Sequence, residues 1–184
     1  MEFTVMTKEL MNNKDIDRAV TRMAHEIIEK NKGTEGLCLV GIQSGGVYLA
    51  QRLAAKINEI EEQAIPAGSL DIAFYRDDLN IRKAQPLVRR TEIPFEVTDL
   101  KIVLVDDVLF TGRSIRAAMD ALMDIGRPAQ IQLAVLIDRG HRELPIKADY
   151  VGKNIPTALS EKVVVQFEEE GLEDQVMLEK AEER

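Results

Sequence analysis

Two adjacent carboxylates, Asp106 and Asp107, close an apolar run in the stretch VLVDDVLFTGRS (103–114), and Thr111, Gly112 and Ser114 follow them. Like charges side by side at the end of a buried run cost repulsion and desolvation unless something compensates them. A cation would do so, and so would the hydroxyls of a sugar. The turn after them opens a helix. Free backbone N–H groups there, the hydroxyls of Thr111 and Ser114, and the positive end of the helix dipole together make an anion cradle. One short stretch thus offers acceptors for hydroxyls or Mg²⁺ and donors for a phosphate, and a ligand with ribose hydroxyls and a terminal phosphate matches both halves. The Walker phosphate loop GxxxxGK[ST] is absent. An incidental acidic pair accounts for a lone Asp-Asp, but poorly for Asp-Asp with TGxS at this spacing. A receiver-like phosphoacceptor also keeps carboxylates at strand ends, yet it would not need TGRS behind them.

Such a site needs a strand to end on and helices to begin from. The sequence predicts a strand over 101–107 and a helix over 112–126, closed by Gly126 and Pro128. Upstream, LCLVGI (37–42) reads as a buried strand, QSGG (43–46) as a turn and 47–60 as a helix. Residues 14–31 place Ile16, Ala19, Val20, Met23, Ala24, Ile27 and Ile28 at helical spacing, with Asn12 or Asn13 as cap and Gly33 beyond the end. SLDIAFYRDD (69–78) and 129–139 read as strands. Residues 79–98 lack periodicity and hold Pro86, Pro94 and the basic residues Arg82, Lys83, Arg89 and Arg90; a connection this long is usually functional or disordered. ADYVGKNIPT, KVVVQFEEEG and DQVMLE suggest short strands of a smaller lobe. The alternation predicts an α/β fold with a mostly parallel central sheet flanked by helices, which binds ligands at the carboxyl ends of its strands.

The 184 residues fit a single domain, 1–184. No apolar run approaches the ~18 residues of a membrane span, and MEFTVMTKELMNNKD is too charged and broken for a signal peptide. The one cysteine, Cys38, has no partner in the chain and reads as a buried small hydrophobe; with seven Met it fits a cytoplasmic protein. The net charge is −8, but residues 161–184 hold nine acids and three bases, a net −6, which leaves −2 for residues 1–160. Overall acidity argues against indiscriminate nucleic-acid binding and leaves room for a local basic patch.

VLVDDVLFTGRS resembles the phosphoribosyl-diphosphate (PRPP) motif of the type I phosphoribosyltransferases. That resemblance implies the type I fold, with a small hood lobe built mainly from segments after about residue 139. It implies that Asp106 and Asp107 hold the ribose hydroxyls of PRPP, and Mg²⁺ indirectly through it. The segment Val108, Leu109, Phe110, Thr111, Gly112, Arg113 and Ser114 would carry the nucleotide. GIQSGG (41–46) falls where the family keeps its diphosphate loop, and 76–90 where it keeps a flexible lid. Phe110 disfavours a 6-oxopurine enzyme, because it can neither accept nor donate a proton where purine-salvage members carry an acid. DIAFYRDDL, RMAHEIIEKN and DALMDIGRPAQIQLAVLIDRGHRELPIKADYVGKNIPT are similar to the branch that attenuates transcription of pyrimidine operons and has uracil phosphoribosyltransferase activity. The similarity spans roughly 15–167. It implies a UMP- or UTP-responsive RNA-binding protein, a homodimer or higher oligomer, that also makes UMP from uracil and PRPP with Mg²⁺.

One departure stands out. The family's diphosphate loop usually reads Thr-Arg-Gly; here it is Ser44, Gly45 and Gly46. An arginine there would neutralise the leaving group, and losing such a donor typically costs about 2.7–4 kcal/mol. Weak transferase activity with intact nucleotide binding is therefore expected, with lid bases as possible helpers. Arg76 is placed in the catalytic machinery; Tyr75 and Arg76 fit either a lid hinge or plain strand termination. Arg139 is placed near the base, the alternative being a surface arginine pairing Asp138. Thr21 and His25, four apart on the outward face of helix 14–31 beside Arg18 and Arg22, read alone as a solvated stripe. By resemblance they join Arg142, Lys147 and Lys153 in a basic face for a pyr mRNA leader stem-loop. Two other readings stay open: a dedicated pyrimidine phosphoribosyltransferase without RNA binding, and an RNA binder whose catalysis has decayed.

Overall fold

A computed structural model describes residues 4–78 and 90–182. Five parallel strands form the central sheet: β2 (Leu37–Ile42), β3 (Ala67–Leu70), β4 (Lys101–Leu109), β5 (Gln130–Asp138) and β6 (Tyr150–Asn154), in the order β3-β2-β4-β5-β6. β2 and the middle of β4 are buried throughout, as expected of strands covered on both faces. Helices α1 (Asn13–Asn31) and α2 (Gly45–Glu61) cover one face, and α3 (Arg113–Ile125) the other.

α1 starts at a capping box. Asn12 Oδ1 accepts from the Asp15 N–H at 3.0 Å, while the Asp15 carboxylate accepts from the Asn12 N–H at 3.1 Å. Its buried stripe is Ile16, Ala19, Val20, Met23, Ala24 and Ile27. It ends at Lys32, whose left-handed φ of 55° closes the last turn.

The small lobe is a separate antiparallel sheet, β1-β8-β7, made of β1 (Thr4–Met11), β7 (Glu161–Gln166) and β8 (Gln175–Glu182). The segments after 139 supply two of the lobe's three strands and the N-terminal segment the third. One expectation is corrected here: the ADYVGKNIPT segment supplies β6, which belongs to the central sheet. The acid-rich C-terminal residues fold into this lobe. Arg52 of α2 grips it: its guanidinium donates to both carboxylate oxygens of Glu169 (2.8 and 2.6 Å) and of Asp174 (2.6 and 2.8 Å). The same guanidinium lies 4.9 Å from the centre of the buried Phe167 ring, which meets Tyr48 edge-on at 5.9 Å. Those hydrogen bonds hold the Glu169 and Asp174 carboxyls below their usual range.

The strand read over 69–78 is also corrected. β3 stops at Leu70, and residues 73–75 form a 3-10 turn. The Asp71 carboxylate accepts the Ala73 N–H and so turns the chain out of the sheet. Helix α2 begins two residues earlier than predicted, at Gly45, so the glycine turn is partly helix start. The lid expected over 76–90 falls, for residues 79–89, outside the described residues.

Candidate functional site

β4 outruns its neighbour. Its pairing with β2 ends at Gly41 and Val105, whereas its pairing with β5 continues to Leu109 and Asp138. Asp106 and Asp107 therefore lie within the strand, in the part where β2 has left its side, and not at the strand's last residues as predicted. The Asp107 N–H donates to Asp106 Oδ1 at 2.9 Å, and the Val108 N–H to Asp107 Oδ1 at 2.8 Å. Burial, and then the charge of Asp107, push the Asp106 carboxyl well above the usual carboxylate range, against the pull of the Arg76 charge. An acid held at such a cost at a sheet's carboxyl edge marks a functional site.

Two helix-starting turns meet this edge. In the first, Gly112 caps α3 with φ 91°, a conformation that favours glycine. The Thr111 hydroxyl accepts from the Arg113 N–H, and the Thr111 carbonyl accepts from the Glu143 and Leu144 N–H groups. The opening N–H groups of α3 have no intrahelical acceptor and face the anion position. A cavity of about 250 Å³ lies here, lined by residues 76–78, Asp106 and residues 108–115. It brings Arg76 together with Asp106, Thr111, Gly112, Arg113 and Ser114, as predicted. Arg76 makes a two-pronged pair with Asp78 at 2.9 Å, and Arg113 pairs with Asp77 at 2.6 Å and Glu143 at 3.5 Å. Asp77 and Glu143 were not foreseen; the acids of FYRDD were the only signal.

The second turn is 43–46. Its glycines are set by close approach. A Cβ on Gly46 would lie 3.0 Å from Asp106 Cα, one on Gly41 2.7 Å from the Gly46 carbonyl carbon, and one on Gly45 2.8 Å from Asp107 Cγ. The Ser44–Gly45–Gly46 turn thus rides directly on the acidic pair. Ser44 makes no side-chain cap, so the first N–H groups of α2 lack a capping acceptor from it. A Cβ at Gly45 would press on the Asp107 side chain, so an arginine there would require that carboxylate to shift.

Beyond the pair, the guanidinium of Arg139 stacks 3.9 Å from the centre of the Phe110 ring, with His141 edge-on at 5.8 Å. Arg139 is 6% exposed and donates to Thr157 Oγ1, the Ala158 carbonyl and the Glu161 carbonyl. The surface alternative for Arg139 is thereby overturned, and Asp138 is taken by Arg142 instead. Arg139 ties Phe110 to the start of β7 in the small lobe. Arg142 donates to the Phe110 carbonyl, the Ile146 carbonyl and Asp138, which leaves its guanidinium engaged in shaping the phosphate turn.

The other predicted RNA residues gather elsewhere. Arg22 donates to the Val151 and Gly152 carbonyls on the outer edge of β6, and Lys153 to the Leu10 carbonyl. With Arg18 they line a surface groove of about 370 Å³. His25 stands exposed one turn along α1, and Thr21 donates to the Asp17 carbonyl. Lys147 is exposed in the segment leading into β6. Thr21, Arg22, His25 and Lys153 therefore share one flank, while Arg142 belongs to the cradle.

Comparisons with known proteins agree with this geometry. The phosphoribosyl transferase domain family matches residues 6–171. The bifunctional protein PyrR of Pelotomaculum thermopropionicum is 59% identical over 175 residues, covering 95% of this chain and 97% of the relative. That of Geobacter sp. strain M21 is 56% identical over 171 residues, covering 93% and 97%. That of Bacillus cereus strain AH820 is 55% identical over 171 residues, covering 92% and 95%. Among solved structures, the hypoxanthine phosphoribosyltransferase of Trypanosoma cruzi superposes with a TM-score of 0.71 at 18% identity, covering 95% of this chain and 97% of that one, and shares the fold. Among the described residues no helix is long and apolar enough to cross a membrane. With the acidic pair, its two helix-starting turns and these matches, the chain belongs to the phosphoribosyl transferase domain family and, within it, to the bifunctional PyrR proteins.

Proposed function

We propose that the chain is a UMP- and UTP-responsive RNA-binding regulator of a pyrimidine operon that also converts uracil and PRPP to UMP and diphosphate. The observation that carries the reading is the convergence of two helix-starting turns on Asp106 and Asp107, one suited to the 5′-phosphate and one to the diphosphate. In the reaction the bond from C1′ to the diphosphate oxygen breaks, the bond from uracil N1 to C1′ forms, and the N1 proton is lost. Positive charge develops on the ribose ring, so charge placement matters more than a strong nucleophile. Asp106 and Asp107 accept from the 2′- and 3′-hydroxyls. The 111–114 turn anchors the phosphate through Thr111, Ser114 and backbone N–H groups, with Arg113 beside them. Arg76 offsets charge next to Asp106. Phosphoribosyltransferases generally use Mg²⁺ with PRPP, and the acidic pair with a ligand's own oxygens suits a hard cation that keeps water and substrate phosphates as ligands. Phe110, backed by Arg139, floors the base position and offers no acid to a purine.

RNA binds the flank made by α1 and β6, where Thr21, Arg22, His25 and Lys153 lie and Lys147 adds charge. Contacts there combine phosphate charge with unstacked loop bases, so affinity falls as salt rises. The patch is small for one stem-loop, which favours a homodimer pooling two copies; light scattering after size exclusion would return a monomer mass if that were wrong. A steady-state assay of UMP formation tests the catalytic half. Turnover with uracil and none with hypoxanthine is expected, and the reverse preference would contradict it.

A further inference from the structure

From Leu37 to Gln51, across the whole 43–46 turn, the chain carries no Lys or Arg. The turn rests on two carboxylates, and a diphosphate leaving group brings several more negative charges. Backbone N–H groups and the Mg²⁺ that accompanies PRPP leave part of that charge without a side-chain partner. The three cations of the neighbouring cradle are engaged: Arg76 with Asp78, Arg113 with Asp77 and Glu143, and Arg142 with Asp138 and two carbonyls. Gly45 carries no side chain, and a Cβ there would press on the Asp107 carboxylate.

Another segment places a cation-bearing residue beside the end of β2. The Gln43 side-chain amide donates to the Arg90 carbonyl at 3.4 Å, and Ser69 pairs with Glu92 as an antiparallel bridge along the β3 edge. Thr91 Oγ1 accepts from the Asp71 N–H just past the end of β3. Residue 90 is thereby held near the end of β2, and Gln43 and Arg90 line a cavity beside the one that Asp106 and the 111–114 turn line. The Arg90 side chain is 85% exposed, and its ion pair with Glu92 is long, at 3.4 Å, and solvated. Such a pair holds the guanidinium weakly. We infer that Arg90 is the diphosphate-binding cation of this site, parked on Glu92 in the free protein and transferred to the leaving group when PRPP binds.

The inference rests on reading 43–46 as the diphosphate turn, and one experiment separates the two. Calorimetric titration of magnesium diphosphate and, separately, of UMP is run on wild type, Arg90→Ala and Arg90→Lys. Wild type should bind both. Arg90→Ala should lose about tenfold or more in diphosphate affinity, as expected for a charge-assisted contact, with UMP affinity within twofold of wild type. Arg90→Lys should recover part of the loss. Diphosphate affinity of Arg90→Ala within twofold of wild type would overturn the role of Arg90 and leave the turn's assignment standing. Equal losses for diphosphate and UMP would also overturn it, as a general disturbance of the site. A wild type that binds UMP but not diphosphate would overturn the assignment of the turn, and this inference with it.

Discussion

The turns 43–46 and 111–114 are built alike and equipped differently. Each leaves a parallel strand, opens a helix and lies beside the acidic pair. The 111–114 turn carries its own chemistry: two hydroxyls, a left-handed Gly112 and Arg113. The 43–46 turn is nearly bare, because its glycines are pressed against β4 and Asp107. Close approach of backbone to backbone and a self-contained anion site exclude each other at one position. The first turn works through its own side chains, and the second depends on what neighbours bring.

Substitutions can break that comparison. The largest effect is expected where both turns meet. Asp107→Asn should weaken PRPP binding about a hundredfold or more, since it removes a charge-assisted partner of the ribose and of Mg²⁺; unchanged affinity in a titration would take Asp107 out of the site. Gly46→Ala comes next. Its Cβ has no room against the β4 backbone, so turnover should fall at least tenfold and stability by about 1–3 kcal/mol, read from UMP formation and a urea melt. The same change at Ser114 should cost only the phosphate contact, a rise in the KM for PRPP at wild-type stability. Gly45→Arg sharpens the contrast. An arginine there displaces Asp107, so turnover should stay flat or fall, whereas a gain would show that the turn has room for a charge.

A smaller effect belongs to the hood. Arg52→Ala leaves Glu169 and Asp174 without their partner and, because the cluster is partly solvated, should cost about 1 kcal/mol. Both carboxyls are held below their ordinary values, so their contribution is present above the unfolded-state range, 3.8 for Asp and 4.5 for Glu, and is lost as pH falls through the folded values. The stability gap between wild type and Arg52→Ala should therefore be constant near neutrality and close below about pH 4.

Much of this was legible in the sequence because it is local. Apolar periodicity gave α1, β2 and α3 nearly to the residue, and the Asp-Asp and TGRS spacing pointed to residues that line one cavity. What was hidden is long-range. β1 pairs with β8, at the other end of the chain, so nothing near Thr4–Met11 announces a hood strand. β6 looks like any short strand until β5 accepts it. Arg142 read as a surface cation because its acceptors are two backbone carbonyls and Asp138, which no pattern reveals. Arg139 was placed near the base, yet its stacking on Phe110 needed the fold to appear. The crowding of Gly45 by Asp107 is likewise a property of three dimensions.

In the proposed function, a nucleotide site on the carboxyl edge is coupled to an RNA face on α1 and β6. A filter-binding titration of a pyr leader stem-loop against wild type, with and without saturating UMP, tests this directly. Saturable binding is expected, with a Kd that shifts at least severalfold with UMP, as linkage between two sites requires. Identical Kd values in the two titrations, or no binding in either, would contradict it.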